Sequence, residues 1–272
     1  MNHMLPGHLM KTDKTNHLIN SLRLKIRKQK GFLRSRVIYD ASPFRKLRLI
    51  NFYRQFIRPG DLCFDLGAHT GNHSLAWLQL GAKVIAVEPQ PAFAGFITGR
   101  LARFPHKIIL QKAVGAKEGK QILNIASGNP TLSTLSEKWI EVIREFGDRL
   151  QWDEELEVEV TTLERLVITY GLPSFCKIDV EGYEENVLSG LSSTLPALSF
   201  EFFPTTPDRT ANCIGRLVQL GDYRFNCSFR ESYKFLSSQW QEGDRMIAGI
   251  RDYDQRKSGD IYAVLKDKLP WG

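Results

Sequence analysis

The stretch Gly60-Asp-Leu-Cys-Phe-Asp65-Leu-Gly67-Ala-His69-Thr-Gly71-Asn-His73-Ser74, followed by a helical run and then Ala82-Lys-Val-Ile-Ala-Val-Glu88-Pro89-Gln-Pro91, decides the fold. The apolar run 62–66 reads as a buried parallel strand. Glycines at 67 and 71 let the next turn bend tightly and let a ligand approach the backbone. Asn72 or Ser74 is placed to cap the helix that follows. Residues 83–88 read as a second buried strand ending at Glu88, 23 residues beyond Asp65. That is the position at which a nucleoside-binding βαβ unit keeps its ribose-holding carboxylate. The plain alternative is an ordinary strand-turn-helix with a surface Glu88.

The turn separates two kinds of ligand. A dinucleotide site wants Gly-x-Gly-x-x-Gly so that a pyrophosphate can rest on the helix N-terminus. His69 stands where the second glycine would be, so that fingerprint fails. Asp65 ahead of the turn repels phosphate and suits a cation. S-adenosylmethionine carries an ammonium, a sulfonium and a carboxylate, and no phosphate. The pattern Asp-x-Gly-x-x-x-Gly with a ribose acid therefore reads as a methyl-donor site.

A chain of 272 residues, 42% hydrophobic and 25% charged, has the composition of a globular protein. No apolar run approaches the roughly 18 residues of a spanning helix, and the start lacks a signal core, so a cytoplasmic protein is expected. Cys63, Cys176, Cys213 and Cys227 have no Cys-x-x-Cys spacing and read as reduced core residues, not as a metal site or a disulfide frame. Charge is unevenly placed. Residues 1–50 hold 12 Lys+Arg against 2 Asp+Glu, while the rest holds 25 against 28. The expected division is a basic arm over 1–42, partly disordered or helical, and one domain over 43–272 with an insert near 127–156. In the arm, residues 18–36 suit a basic helix with Ile19, Leu22 and Ile26 on one face, although Leu24 interrupts it. Contact with an anionic membrane and a merely solvated arm both fit. Scarce aromatics argue against single-stranded nucleic acid, and no specific nucleic-acid partner is expected.

Pro43 opens a helix with Leu49, Ile50, Tyr53, Phe56 and Ile57 as its apolar stripe. The central unit then reads strand 62–66, helix 72–80, strand 83–88, helix 91–104 and strand 107–113. Ala113 and Val114, at the end of that third strand, are the candidate adenine-facing backbone. A strand at 122–126, a polar loop and a helical spacing from Trp139 to Leu150 follow, and this insert is expected to form a lid or substrate wall. Thr162 is placed to cap a helix over 163–170 after a strand at 158–161. Further strands are expected at 198–202, 223–229 and 261–265, with a helix at 207–220 and loop over 240–257.

The second informative stretch is Phe175-Cys-Lys177-Ile-Asp179-Val-Glu181-Gly182-Tyr-Glu184. Strand alternation places Lys177, Asp179 and Glu181 on one face. Three charges there need partners or a polar cleft. The cleft of an open α/β sheet lies at the carboxyl ends of its strands, where Asp65, Glu88, Asp179 and Glu181 are expected to converge.

Together these blocks resemble the FkbM family of S-adenosylmethionine-dependent methyltransferases over roughly residues 43 to 205. The carriers are Pro59-Gly60-Asp61 with Asp65-Leu-Gly67-Ala-His69-Thr-Gly71, Ala86-Val-Glu88-Pro89-Gln-Pro91, Lys177-Ile-Asp179-Val-Glu181-Gly182-Tyr-Glu184 with Val187-Leu188 and Leu191, and Phe200-Glu201. The resemblance implies a Rossmann-like class I methyltransferase fold, an α/β architecture with a seven-stranded, mainly parallel sheet and a reversed last strand. It also implies methylation of a hydroxyl on a sugar, glycan, glycolipid or secondary metabolite. His69 departs from the usual Asn, and Glu164 from the usual Asp.

The donor-site candidates are thus Asp65, Gly67, His69, Gly71, Glu88, Pro89, Ala113 and Val114, with Asp65 expected to hold the ammonium, directly or through water. Asp179 is the candidate base or orienter of the donor amine, Glu181 the alternative base, and Lys177 the residue that fixes their charge. His69 and His73 lack a third ligand of suitable spacing, so no metal is expected. The competing classes are a non-catalytic membrane-surface or nucleoside-binding module and a nicotinamide-dependent oxidoreductase. Neither the acceptor nor the oligomeric state is legible.

Overall fold

The computed structural model describes residues 30–31, 43–145, 150–230, 232–254 and 257–269. The arm over 1–42, including the basic helix expected over 18–36, lies outside the described residues apart from 30–31. In chain order the elements are α1 (Pro43–Tyr53), β1 (Leu62–Leu66), α2 (Asn72–Gln79), β2 (Lys83–Val87), α3 (Pro91–Arg100), β3 (Lys107–Leu110), β4 (Ala113–Gly115), β5 (Gly119–Ile125), α4 (Glu137–Glu145), β6 (Glu154–Thr162), α5 (Leu163–Tyr170), β7 (Phe175–Ile178), α6 (Glu184–Ser189), β8 (Ala197–Phe202), α7 (Pro207–Leu220), β9 (Tyr223–Phe229), α8 (Gly243–Ile250) and β10 (Gly259–Leu265).

Seven strands form the main sheet in the order β3-β2-β1-β7-β8-β10-β9. Those from β3 to β8 run parallel, and β10 pairs antiparallel with both β8 and β9. This is the class I methyltransferase topology, with the last strand of the chain reversed and slotted in beside the edge. Because both faces are covered, the parallel strands are apolar nearly throughout. Phe64, Leu66, Ile178 and Phe200 point toward α5, α6, α7 and α8. Cys63, Phe175, Ala197 and Tyr262 point toward α1, α2 and α3. The polar exceptions in the carboxyl halves of these strands share one face. Asp65 lies in register with Lys177, Lys177 with Ser199, and Glu201 with Asp260, all on the α1–α3 side. A polar strip thus crosses four strands near the carboxyl ends of the parallel ones.

Several details differ from expectation. The strand expected over 107–113 breaks at Gln111-Lys112: β3 stays in the main sheet, while β4 joins a second sheet of order β4-β6-β5. Helix α3 stops at Arg100 instead of 104, and α4 ends at Glu145, with 146–149 outside the described residues. The span 240–257, expected as loop, contains α8, which buries Met246 and Ile250. Neither Asn72 nor Ser74 caps α2; its N-cap is Gly71, at φ +73. Thr162 does cap α5, its hydroxyl accepting from the Arg165 N–H at 3.0 Å. All four cysteines are free and buried, and no described helix is long and apolar enough to cross a membrane.

Candidate active site

A cleft opens where β1, β2 and β7 end. Its floor is the turn from Gly67 to Gly71. The Gly67 and Ala68 N–H groups donate to the Val87 carbonyl at 2.9 and 3.0 Å, which seals the turn to β2. Gly67 has φ +79, and a Cβ there would lie 1.7 Å from the Asp179 carbonyl oxygen. The glycine is therefore required by the crossing of β1 and β7 as much as by a ligand. Arg100 pins the same turn from outside by donating to the Thr70 carbonyl at 3.0 Å.

Asp65 does not face the cavity. It is 1% exposed, and its Oδ2 accepts from both the Ser74 N–H at 3.0 Å and the Ser74 hydroxyl at 2.5 Å. Its carboxylate satisfies the first turn of α2 in place of a side-chain N-cap. Burial pushes it up to about 6, against the pull of Ser74 and Lys177. The expectation that Asp65 holds an ammonium directly is therefore corrected: it holds the helix that floors the site.

Glu88 does face the cavity. One of its oxygens accepts from the His69 N–H at 2.8 Å and the other from the Gln90 N–H at 2.9 Å. Each oxygen keeps a lone pair, in the arrangement a vicinal diol would use. Burial raises its carboxyl to about 7 despite those two bonds. Pro89, Ala113 and Val114 line the same side. The His69 ring packs 4.3 Å from that of Phe93, and burial depresses its imidazole to about 4. His73, which is half-buried, is lowered to about 3 by desolvation and by Lys177. Both rings are neutral at physiological pH.

On the opposite wall, strand β7 ends at Ile178, before the acids. Lys177 is 2% exposed and donates to Asp179 at 2.8 Å and to Asp260 at 3.2 Å. Burial works against its charge, but the two carboxylates outweigh that and hold it protonated. Asp179, although desolvated, is kept low chiefly by the Lys177 cation. Beyond it the chain turns through Glu181 at φ +50 and Gly182 at φ +87. Glu184 fixes this turn, with one oxygen accepting from the Val180 and Gly182 N–H groups, each at 3.2 Å, and the other from Arg209 at 2.7 Å. Glu181 thus leaves the strand's alternation. It shares the cavity with Asp179, while Lys177 stays behind the wall. Carboxylate oxygens of Asp179, Glu181 and Glu201 lie within 4.8 Å of one another. Burial and the neighbouring carboxylates raise Glu181 and Glu201 well above the usual range.

The β5–β6 connection closes the mouth with Pro130, Thr131, Ser133 and Leu135. The Thr134 hydroxyl donates to the Glu181 carbonyl at 2.6 Å, tying this segment to the acidic turn. Of the sequence candidates, Gly67, His69, Glu88, Pro89, Ala113, Val114, Asp179 and Glu181 meet at one cavity, whereas Asp65, Gly71 and Lys177 support it from outside. Tyr183 and Tyr233, which also line it, were not anticipated. Tyr233 arrives from a loop after β9 with no periodicity to announce it. Glu201 carried a signal, being a charge inside an apolar strand, as Lys177 is.

The model of the methyltransferase FkbM domain matches residues 65–254, well over half the chain. No curated protein matches. Among solved structures, the chain is similar to a TehB-like SAM-dependent methyltransferase from Corynebacterium glutamicum at 10% identity, with 88% of this chain and 98% of that one covered and a TM-score of 0.44. It is also similar to a precorrin-6y C5,15-methyltransferase from Geobacter metallireducens at 12% identity, 80% and 87% coverage and a TM-score of 0.41. A SAM-dependent O-methyltransferase from Thermotoga maritima gives 10% identity, 81% and 64% coverage and a TM-score of 0.39. The cavity suits S-adenosylmethionine, since a diol-ready carboxylate sits on one side, the lysine-held anion Asp179 on the other, and no phosphate cradle lies between. The chain is an S-adenosylmethionine-dependent methyltransferase and belongs to the FkbM methyltransferase domain family.

Proposed function

We propose that the enzyme methylates a hydroxyl group of a sugar-type acceptor, in a glycan, a glycolipid or a glycosylated secondary metabolite. The observation that carries this reading is Glu181, a second carboxylate on the cavity wall beside the lysine-held Asp179. A hydroxyl is a weak nucleophile at neutral pH and needs a proton acceptor within reach. Thr131, Ser133, Tyr183 and Tyr233 line the same cavity with the neutral donors and acceptors that suit an uncharged polyol.

When bound, the donor supplies a methyl carbon activated by a sulfonium. The chain's own work is to position and deprotonate. Glu88 receives the ribose hydroxyls. Asp179, kept ionised by Lys177, meets the donor's ammonium; the same ion pair makes it a poor base. Glu181 takes the acceptor proton instead, and the β5–β6 segment forms the acceptor wall. The test is mass spectrometry of a glycan and glycolipid pool incubated with isotopically labelled donor. Label on a sugar oxygen supports the reading, and label confined to nitrogen or carbon sites overturns it.

A peripheral contact with anionic membrane also fits. Exposed Phe44 and Leu47 lie on α1 beside exposed Lys46 and Arg48, next to the basic arm. Co-sedimentation with anionic but not zwitterionic vesicles is the expected result, and equal partition into both contradicts it.

A further inference from the structure

Five carboxylates crowd the tips of β7, β8 and β10 and the turn after β7, and two cations serve them. Lys177 is taken by Asp179 and Asp260, and Arg209, which stacks 4.9 Å above the Trp139 ring, is taken by Glu184. Glu181 and Glu201 remain. Each has a fully buried oxygen with no hydrogen-bond partner, and their carboxylates lie within 4.8 Å of each other. Two adjacent carboxylates without a counter-charge do not both ionise; one proton stays with the pair.

We propose that Glu181 and Glu201 hold a single proton between them at neutral pH, directly or through one water. Glu201, behind the cavity wall, is then a positioning residue that carries this proton so that Glu181 faces the acceptor as an ionised base of raised basicity. This rests on the reading of Glu181 as the base and extends it to a residue the cavity does not expose. In the transfer, a lone pair of the acceptor oxygen forms the new oxygen–carbon bond as the carbon–sulfur pair departs with sulfur. The hydroxyl proton passes to the free oxygen of Glu181, and the doubly protonated pair later returns one proton to solvent through the cavity.

A proton fits this place better than a divalent cation. Among the described residues only Asp179 completes a three-carboxylate set, and the Lys177 ammonium already sits 2.8 Å from it. The remaining charges facing the pair are Asp179 and Glu184, which favour retention of the proton, and Lys177 and Arg209, which oppose it. His69 and His73, near Asp179, are neutral.

Infrared difference spectroscopy of the full-length enzyme at pH 7, without donor or acceptor, tests the pair. Subtracting the Glu201→Gln spectrum from wild type should reveal one protonated-carboxyl band that shifts in heavy water. Glu181→Gln should remove the same single band, because either loss lets the surviving partner ionise. Glu201→Asp, which retains a carboxyl, should keep the band and serves where the glutamine variant fails to fold. Two separate bands, each lost with its own residue, would overturn the shared proton, as would a band unaffected by both changes. Saturable, stoichiometric binding of manganese that abolishes the band in wild type would also overturn it in favour of a cation site. If the band behaves as expected but Glu181→Gln retains full turnover, the pair stands and the base assignment falls.

Discussion

Glu88 offers a quantitative test before any acceptor is known. It is 3% exposed, and burial lifts its carboxyl from the usual carboxylate range to about 7. A raised acid stabilises the folded state fully below the unfolded value near 4.5, and that contribution is lost as pH rises through about 7. The difference corresponds to about 3 kcal/mol across the window. Glu88→Gln removes the titration. It also sets an amide N–H against the His69 or Gln90 N–H, which lowers stability at every pH, so slopes are the quantity to compare. Urea unfolding followed by circular dichroism should show wild type losing about 3 kcal/mol more than the variant between pH 4.5 and 8. The residual slope in the variant belongs partly to Asp65, raised to about 6. Calorimetry should show donor affinity in wild type falling about tenfold per pH unit below 7, because the diol prefers the ionised carboxylate. The variant should bind weakly with little pH dependence. Parallel stability curves for the two proteins, or a flat affinity profile in wild type, would refute the reasoning.

Three further perturbations follow from the same geometry. Gly67→Ala forces a Cβ onto the Asp179 carbonyl in a left-handed backbone, and a loss of roughly 4 kcal/mol or outright unfolding is expected by thermal melting; an unchanged Tm contradicts it. Lys177→Met leaves Asp179 and Asp260 without their cation and should cost about 3–5 kcal/mol in urea unfolding at pH 7, with partial recovery at low pH where both acids protonate. A variant as stable as wild type would show the pair is dispensable. Ser74→Ala removes one of two bonds to Asp65, with an expected loss of about 1–3 kcal/mol and a further rise of the Asp65 carboxyl read by NMR titration. An unmoved titration would exclude the capping role.

Much of this fold was readable because its strands are short apolar runs between punctuating turns, with β1, β2 and β8 starting and ending near where their sequence did, whereas β7 stops at Ile178, short of the alternation expected to reach Glu181. The break at Gln111-Lys112 was not readable, since local propensity does not say which sheet a strand joins. Helix α8 escaped notice because its apolar run, Met246 to Ile250, is short, carries Gly249 and is flanked by polar residues on both sides. At the site, Glu88 and Glu181 announced themselves as charges at the ends of apolar strands. Asp65 and Lys177 did so equally, yet they point beneath the cavity, because strand parity fixes a face and not the depth at which a side chain ends. Tyr233 depends on a loop closing from more than a hundred residues away, which no spacing encodes. The need for glycine at 67 was legible, but its cause, the crossing of Asp179, was visible only once β1 and β7 were paired.

The most direct measurement is a crystal structure of the enzyme with S-adenosylhomocysteine. The ribose hydroxyls should lie on the two oxygens of Glu88, with adenine against Ala113 and Val114 and the amino group toward Asp179. A product molecule bound elsewhere, or lying in this cavity with its ribose away from Glu88, would contradict the account.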